Sequence, residues 1–105
     1  MNVPAGMLDR VKDEVALLDR HLLVLRTVMT HQPIGIMRLA ELMDLPYHRI
    51  RYSLRVLEQM GYLRASPEGA IIMKKTDLLL STLDEQLEDI VERIEEIRRK
   101  NSHNV

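Results

Sequence analysis

Two apolar stripes with helical spacing, one near each end of the sequence, frame everything between them. Near the C-terminus Leu80, Leu83, Leu87, Ile90, Ile94 and Ile97 fall at steps of 3, 4, 3, 4 and 3. That alternation keeps one edge of an α-helix apolar turn after turn, with heptad character. Near the N-terminus Leu8, Val11, Val15, Leu18, Leu22, Leu25 and Met29 follow the same rule. The spacing predicts a long helix over 7–31, after a short start with Pro4 and Gly6, and another over 76–100. Asn101 to Val105 is expected to fray, as chain ends do. Pro33 stops the first helix, because it disfavours helical geometry in Gln32. Leu23, Val24 and Val28 widen the first stripe near its end, so that part is expected to enter a globular core.

Asp and Glu fill most outward positions of the last helix, and an acidic helix cannot bury a six-residue seam by itself. Exposed seams of this kind mark interaction surfaces. With 105 residues the chain fits one compact domain and no second full-sized one. The expected outcome is a homodimer held by Leu8, Val11, Val15 and Leu18 of the first helix and Leu80, Leu83, Leu87, Ile90, Ile94 and Ile97 of the last. Whether these helices pack within or between chains is open at the level of sequence.

Between the seams the pattern changes. Ile34-Gly35-Ile36 is short and β-branched, compatible with a brief strand or an extended entry. Met37 to Met43 reads as a short helix with Leu39, Ala40, Leu42 and Met43 apolar. Asp44-Leu45-Pro46 interrupts it, and Pro46 is tolerated in the first turn of a new helix. That helix, over 46–60, carries Ile50, Leu54, Leu57 and Met60 on one side and ends at Gly61, the usual residue for a helix C-terminus. Tyr62 to Ala65 and Ala70 to Met73 flank Ser66-Pro67-Glu68-Gly69, which predicts a β-hairpin.

Helix, short strand, helix, tight turn, helix and hairpin, in that order, make a layout that resembles winged helix-turn-helix transcriptional regulators of prokaryotic, archaeal type. Such proteins carry a Leu-Ala-x-x-Leu helix, then a second helix ending in Gly-(Tyr/Leu)-(Leu/Ile). The matching residues are Leu39, Ala40, Met43, Leu54, Leu57, Gly61, Tyr62 and Leu63. The match covers about half the chain and is a pattern of core positions, so it speaks more for fold than for function. It implies a mainly α fold with a small β-hairpin wing, the helix-turn-helix and wing spanning 34–74 and the long end helices forming a dimer interface. It also implies a homodimeric, sequence-specific regulator that reads the major groove of double-stranded DNA with helix 46–60 and needs no cofactor or metal. Two-fold symmetry would then set two reading helices about 34 Å apart on a pseudo-palindromic site.

The charge pattern fits that implication once it is divided along the chain. The formal net charge is −1, but residues 46–75 carry +4 and residues 76–105 carry −4. If Ile50, Leu54 and Leu57 face a core, then His48, Arg49, Arg51, Tyr52 and Arg55 point outward by the helical period. Arginine can pair bidentately with a guanine edge or bind phosphate. Arg51 and Arg55 stand one turn apart, a like-charge pairing that an anionic partner would relieve. The candidate DNA-binding set is Tyr47, His48, Arg49, Arg51, Tyr52, Arg55, Arg64, Lys74 and Lys75. The last three lie at the base of the hairpin, where phosphate contact is expected, because the tip Pro67-Glu68-Gly69 carries an acid. The competing explanations are a solvated arginine-rich surface and a purely structural hairpin.

Other classes find little support. With no Cys, disulfide scaffolds, thiol catalysis and Cys-ligated zinc are excluded. Three tyrosines are the only aromatic residues, too few for a base-stacking sheet of the RNA-binding type. His21, His31, His48 and His103 have no metal-site spacing, the serines lie in no nucleophile motif, and Ser53 is expected to pack against the helical core. The glycines form no phosphate loop, so no enzyme is expected. No apolar run approaches a membrane span and no signal-peptide layout is present, which predicts a soluble, cytoplasmic protein. An effector is not legible: seven methionines are more often core filler than a sensor. Two alternatives stand beside the regulator. One is an architectural protein coating DNA without sequence preference, for which the modest basic charge is a poor fit. The other is a winged-helix protein-interaction module.

Overall fold

The computed structural model describes residues 6–103. The expected start at Pro4, and the part of the expected fraying at Asn104 and Val105, lie outside the described residues. The chain divides into two compact units at Met73/Lys74, each described by itself. Among the described residues there are four helices and one two-stranded antiparallel hairpin, in the order α1 (Met7–His31), α2 (Ile36–Met43), α3 (Tyr47–Gln59), β1 (Leu63–Ser66), β2 (Gly69–Ile72) and α4 (Lys75–His103).

In the first unit α1 packs on α3, α2 and β2, and α3 packs on α2 and β1. The core is Val24, Leu25 and Val28 of α1, Ile34, Leu39 of α2, Ile50 and Leu57 of α3, Leu63 of β1 and Ala70 of β2. A fully buried aliphatic side chain of this size contributes about 1.5–3 kcal/mol, so these few residues hold the unit together. Only the C-terminal half of α1 enters this core. Val24, Leu25 and Val28 lie roughly 100° round the helix from the N-terminal stripe, given ~100° per residue. The stripe itself therefore points elsewhere: Leu8, Val11, Val15 and Leu18 are exposed. Leu23, expected in the core, is 52% exposed, because its position lies on the side of α1 away from Val28.

The helix ends follow local rules. Pro46 is the residue before α3 and not its first member, with φ −58° and ψ 144°. Its carbonyl accepts the N–H groups of Arg49 and Ile50 at 3.1 and 3.3 Å, and Pro has no N–H to leave unsatisfied there. At the end of α2, Asp44 takes a left-handed conformation with φ 50°, which a short polar side chain tolerates better than most. At the end of α3, Gly61 has φ 85°. The N–H groups of Gly61 and Tyr62 there bond the carbonyls of Glu58 and Leu57, each at 3.0 Å, the Schellman arrangement. Met60, expected on the core side, is 50% exposed, since the chain leaves the helix at that residue.

Ser66 and Gly69 pair across the hairpin, so the turn is only Pro67-Glu68 and the strands run one residue further into it than the sequence suggests. The Ile34–Ile36 segment contributes one bridge in place of a strand. Ile34 exchanges two bonds with Ala70, N–H to carbonyl at 3.1 and 2.7 Å, while Ile36 already begins α2. The Gln32 side chain accepts the Ile72 N–H at 2.9 Å, so the link after α1 holds β2 at two points. In the second unit α4 extends from Lys75 to His103, through Asn101–His103, where fraying was expected.

Candidate nucleic-acid interface

Because Ile50, Ser53 and Leu57 are the buried residues of α3, its opposite side is set outward by the helical period. Tyr47, His48, Arg49, Arg51, Tyr52 and Arg55 are all exposed. They do not form a single strip. His48, Tyr52 and Arg55 stand opposite the core, while Arg51 and Arg49 fall on opposite flanks, roughly 160° apart at ~100° per residue. The Arg51 guanidinium lies over the Tyr47 ring, 4.6 Å from its centroid. Such stacking holds the charge in place at the start of the helix and leaves its N–H groups free.

Arg49 faces the other way. It lines a cleft of about 450 Å³ with Leu45 and with Asp13, Ala16, Leu17, Asp19, Arg20 and Leu23 of α1. Among the described residues, none of Arg49, Arg51 and Arg55 has a carboxylate within salt-bridge distance. By contrast, Arg38 pairs with Glu41 on α2, and Arg93, Arg98 and Arg99 pair with Asp89, Glu95 and Glu96 on α4. Arg10 and Arg26 of α1 are also without an ion pair, so the lack of one is not diagnostic by itself. On α3 three such groups fall within two turns of one helix.

The sequence did not point to the polar contact that ties this helix to α1. Ser53 is fully buried. Its Oγ accepts the Arg20 Nε–H at 3.0 Å and lies 2.8 Å from His21 Nδ1. The Tyr52 ring is 5.9 Å from both the Arg20 guanidinium carbon and the His21 ring centre, so one exposed tyrosine of α3 is braced by two residues of α1. Burial, then the Arg20 charge, pushes His21 below its ordinary value of 6.5, against a smaller upward pull from Glu14. With the imidazole neutral, hydrogen-bond bookkeeping lets Ser53 accept from Arg20 and donate to Nδ1. A serine in a core register of α3 was the available signal, since a buried hydroxyl needs a partner.

The remaining candidates lie elsewhere. Arg64 is exposed on β1, opposite Ile71. Lys74 and Lys75 belong to the second unit: Lys75 opens α4, and the Lys74 carbonyl accepts the Asp77 N–H at 3.1 Å. Of the expected dimer residues, Leu8, Val11, Val15 and Leu18 are exposed on α1. On α4 Leu80 and Leu87 are half-buried, Leu83 is buried, and Ile90, Ile94 and Ile97 are exposed. Among the described residues no group of three or more His, Asp or Glu side chains could hold a metal ion. No described helix is long and apolar enough to cross a membrane.

No protein-family model matches the chain, and no curated protein matches it either. Among solved structures it is similar to the activation domain of the phage T4 transcription factor MotA, at a TM-score of 0.55 and 24% sequence identity. The similarity covers 70% of this chain and 81% of that one. At this identity the likeness concerns the fold, a mainly helical unit with a small hairpin.

Proposed function

We propose that this chain is a winged-helix protein that acts as a homodimer and binds double-stranded DNA sequence-specifically to regulate transcription. In this reading the hairpin is the wing and α3 enters the major groove. The carrying observation is that Arg55 opposite the core and Arg51 and Arg49 on the two flanks of α3 are exposed and lack carboxylate partners, while Ile50, Ser53 and Leu57 are locked into the core. Arg51 and Arg55, with Tyr47, His48 and Tyr52, are the base-reading candidates. Arg64 on β1 is a phosphate anchor, and Arg49 reaches the flanking backbone from the other side of the helix. The reading assigns no catalytic step, cofactor or metal to the protein.

The test is fluorescence anisotropy with a pool of duplexes that includes the DNA upstream of the protein's own gene, at low and near-physiological salt. The expected result is salt-resistant binding to one fragment, lost in the Arg49→Ala, Arg51→Ala, Arg55→Ala triple variant. Equal binding to every fragment that vanishes with salt would instead favour an architectural role. One observation favours a second reading, a transcriptional protein-interaction module. The similar phage domain is described as an activation domain of a transcription factor, not as its DNA-binding part. Absence of DNA binding even at low salt would move the assignment there.

A further inference from the structure

The distal half of α4 carries four exposed apolar residues, Ile90 (45%), Val91 (54%), Ile94 (43%) and Ile97 (65%). Three belong to the heptad seam, and Val91 stands beside it at a flanking position that coiled coils usually give to a charged or polar residue. A partner that covers this end must therefore accommodate an apolar flank as well as an apolar seam. The charges around the seam then select among the ways in which a second copy could supply that partner.

In a parallel pairing, residues at the two flanking positions meet five apart along the helices. That sets Arg93 against Arg98 of the second copy, twice, and Val91 against Gln86, with no compensating attraction. In an antiparallel pairing each flank meets its own kind. Centring the pair near Glu92 puts Ile90 opposite Ile94 of the second copy and Leu87 opposite Ile97, so that the exposed seam residues face one another. The same register brings Val91 against Val91 at the two-fold axis and Asp84 against Arg98 on both sides. Its one like-charge meeting is Arg93 with Arg93, and each of those is held by its own Asp89 at 2.9 Å. Shifting the antiparallel register by one heptad would instead face Val91 with Asp84, leaving the valine against a charge.

We infer that two copies of this chain associate through the distal halves of α4, antiparallel, with Val91 at the two-fold axis. The inference rests on the homodimer part of the proposed function and specifies its geometry; it does not depend on DNA binding. The occupant of the exposed face is a second copy because the face is complementary to itself. The Arg98–Glu95 contact within one helix, 3.5 Å and exposed, is weak enough to exchange for the intermolecular pair.

The chain contains no cysteine, so introduced thiols report orientation cleanly. Full-length Ile90→Cys and Ile94→Cys proteins are each oxidised alone and as an equal mixture. A disulfide-linked dimer is expected from the mixture and from neither protein alone. In the antiparallel register a position and its own copy are offset by about 6 Å along the helix, which with the interaxial separation exceeds the reach of a disulfide. Efficient linkage of either protein with itself means a parallel pair and overturns the inference while leaving a homodimer. Linkage of Ile94→Cys with Leu83→Cys, and not with Ile90→Cys, means the shifted register and overturns it too. Light scattering of the parent chain separates the remaining case: a mass near twice 12.2 kDa is expected, and a monomer overturns both this inference and the homodimer reading. As a second readout, Arg98→Asp is expected to weaken self-association several-fold and Asp84→Arg in the same chain to restore it. Failure of the swap to restore association would refute the Asp84–Arg98 pairing.

Discussion

Gly69→Ala is expected to destabilise the first unit far more than a single methyl would suggest. Gly69 sits at φ 130°, a value that residues with a side chain rarely adopt, at a cost on the order of 1–3 kcal/mol. The added Cβ would also lie 2.5 Å from the Ile34 carbonyl carbon, 2.7 Å from its oxygen and 2.8 Å from the Gly35 nitrogen. All three are backbone atoms, so no rotamer change relieves the contact. Either β2 withdraws or the Ile34 segment does, and both routes break the paired bonds between Ile34 and Ala70. Two hydrogen bonds contribute about 1 kcal/mol each, and Ile34, only 5% exposed, would be partly uncovered. The combined loss is about 3–5 kcal/mol, a large share of a stability of about 5–15 kcal/mol. Urea unfolding followed by circular dichroism measures it, with amide exchange at Ile34 and Ala70 locating the opening. Gly35→Ala is the control, because nothing lies within 4 Å of the Cβ it would carry; a change under about 1 kcal/mol is expected there. If Gly69→Ala behaves like the control, the hairpin is not held against Ile34 as described.

Two further outcomes follow from α3 and its contact with α1. The folded chain holds His21 below its ordinary value, so the unfolded chain binds a proton more readily. The stability that depends on neutral His21 is complete above about pH 6.5, the unfolded value, and is lost as pH falls through that value toward the lower folded one. Thermal unfolding from pH 8 to pH 5.5 should show a decline that His21→Gln flattens; an unchanged slope in that variant would remove His21 as its cause. Under the DNA-binding reading, Arg51→Ala is expected to cost about 1–3 kcal/mol of specific affinity, and Arg49→Ala less, because it stands on the far flank beside Asp13 and Asp19. Equal losses in anisotropy titrations would show that both flanks read DNA alike.

Much of the fold was legible because its boundaries are set by local chemistry. Pro33 and Gly61 stop helices for reasons that need no tertiary information, and α1 ends at His31 and α3 at Gln59 accordingly. The hairpin was visible from Ser66-Pro67-Glu68-Gly69, although the pairing of Ser66 with Gly69 belongs to the ladder and not the turn. Ile34-Gly35-Ile36 was legible as a brief strand or extended entry, but its pairing with Ala70 was not, since one bridged residue carries no sign of its partner.

On α1 the sequence set Leu8, Val11, Val15 and Leu18 on a partner-facing seam and Leu23, Val24 and Val28 in the core, and of these core positions Leu23 is exposed. A step of 3 or 4 marks an apolar stripe but not what covers it. On α1 the stripe from Leu8 to Leu18 stays exposed, while the core is taken from Val24, Leu25 and Val28, a face rotated by roughly a quarter-turn at ~100° per residue. The same arithmetic, applied residue by residue to α3, separates Arg49 from Arg51 and identifies Ser53 as a core position. It was the grouping of outward residues into one face that hid the two flanks. The tie from Ser53 to Arg20 and His21 spans 33 and 32 positions, and no spacing rule reaches that far. What a sequence does carry at such a place is a demand: a hydroxyl at a buried register must find a partner. Here the partners lie on α1, so α3 is braced by the same helix that carries the exposed stripe from Leu8 to Leu18.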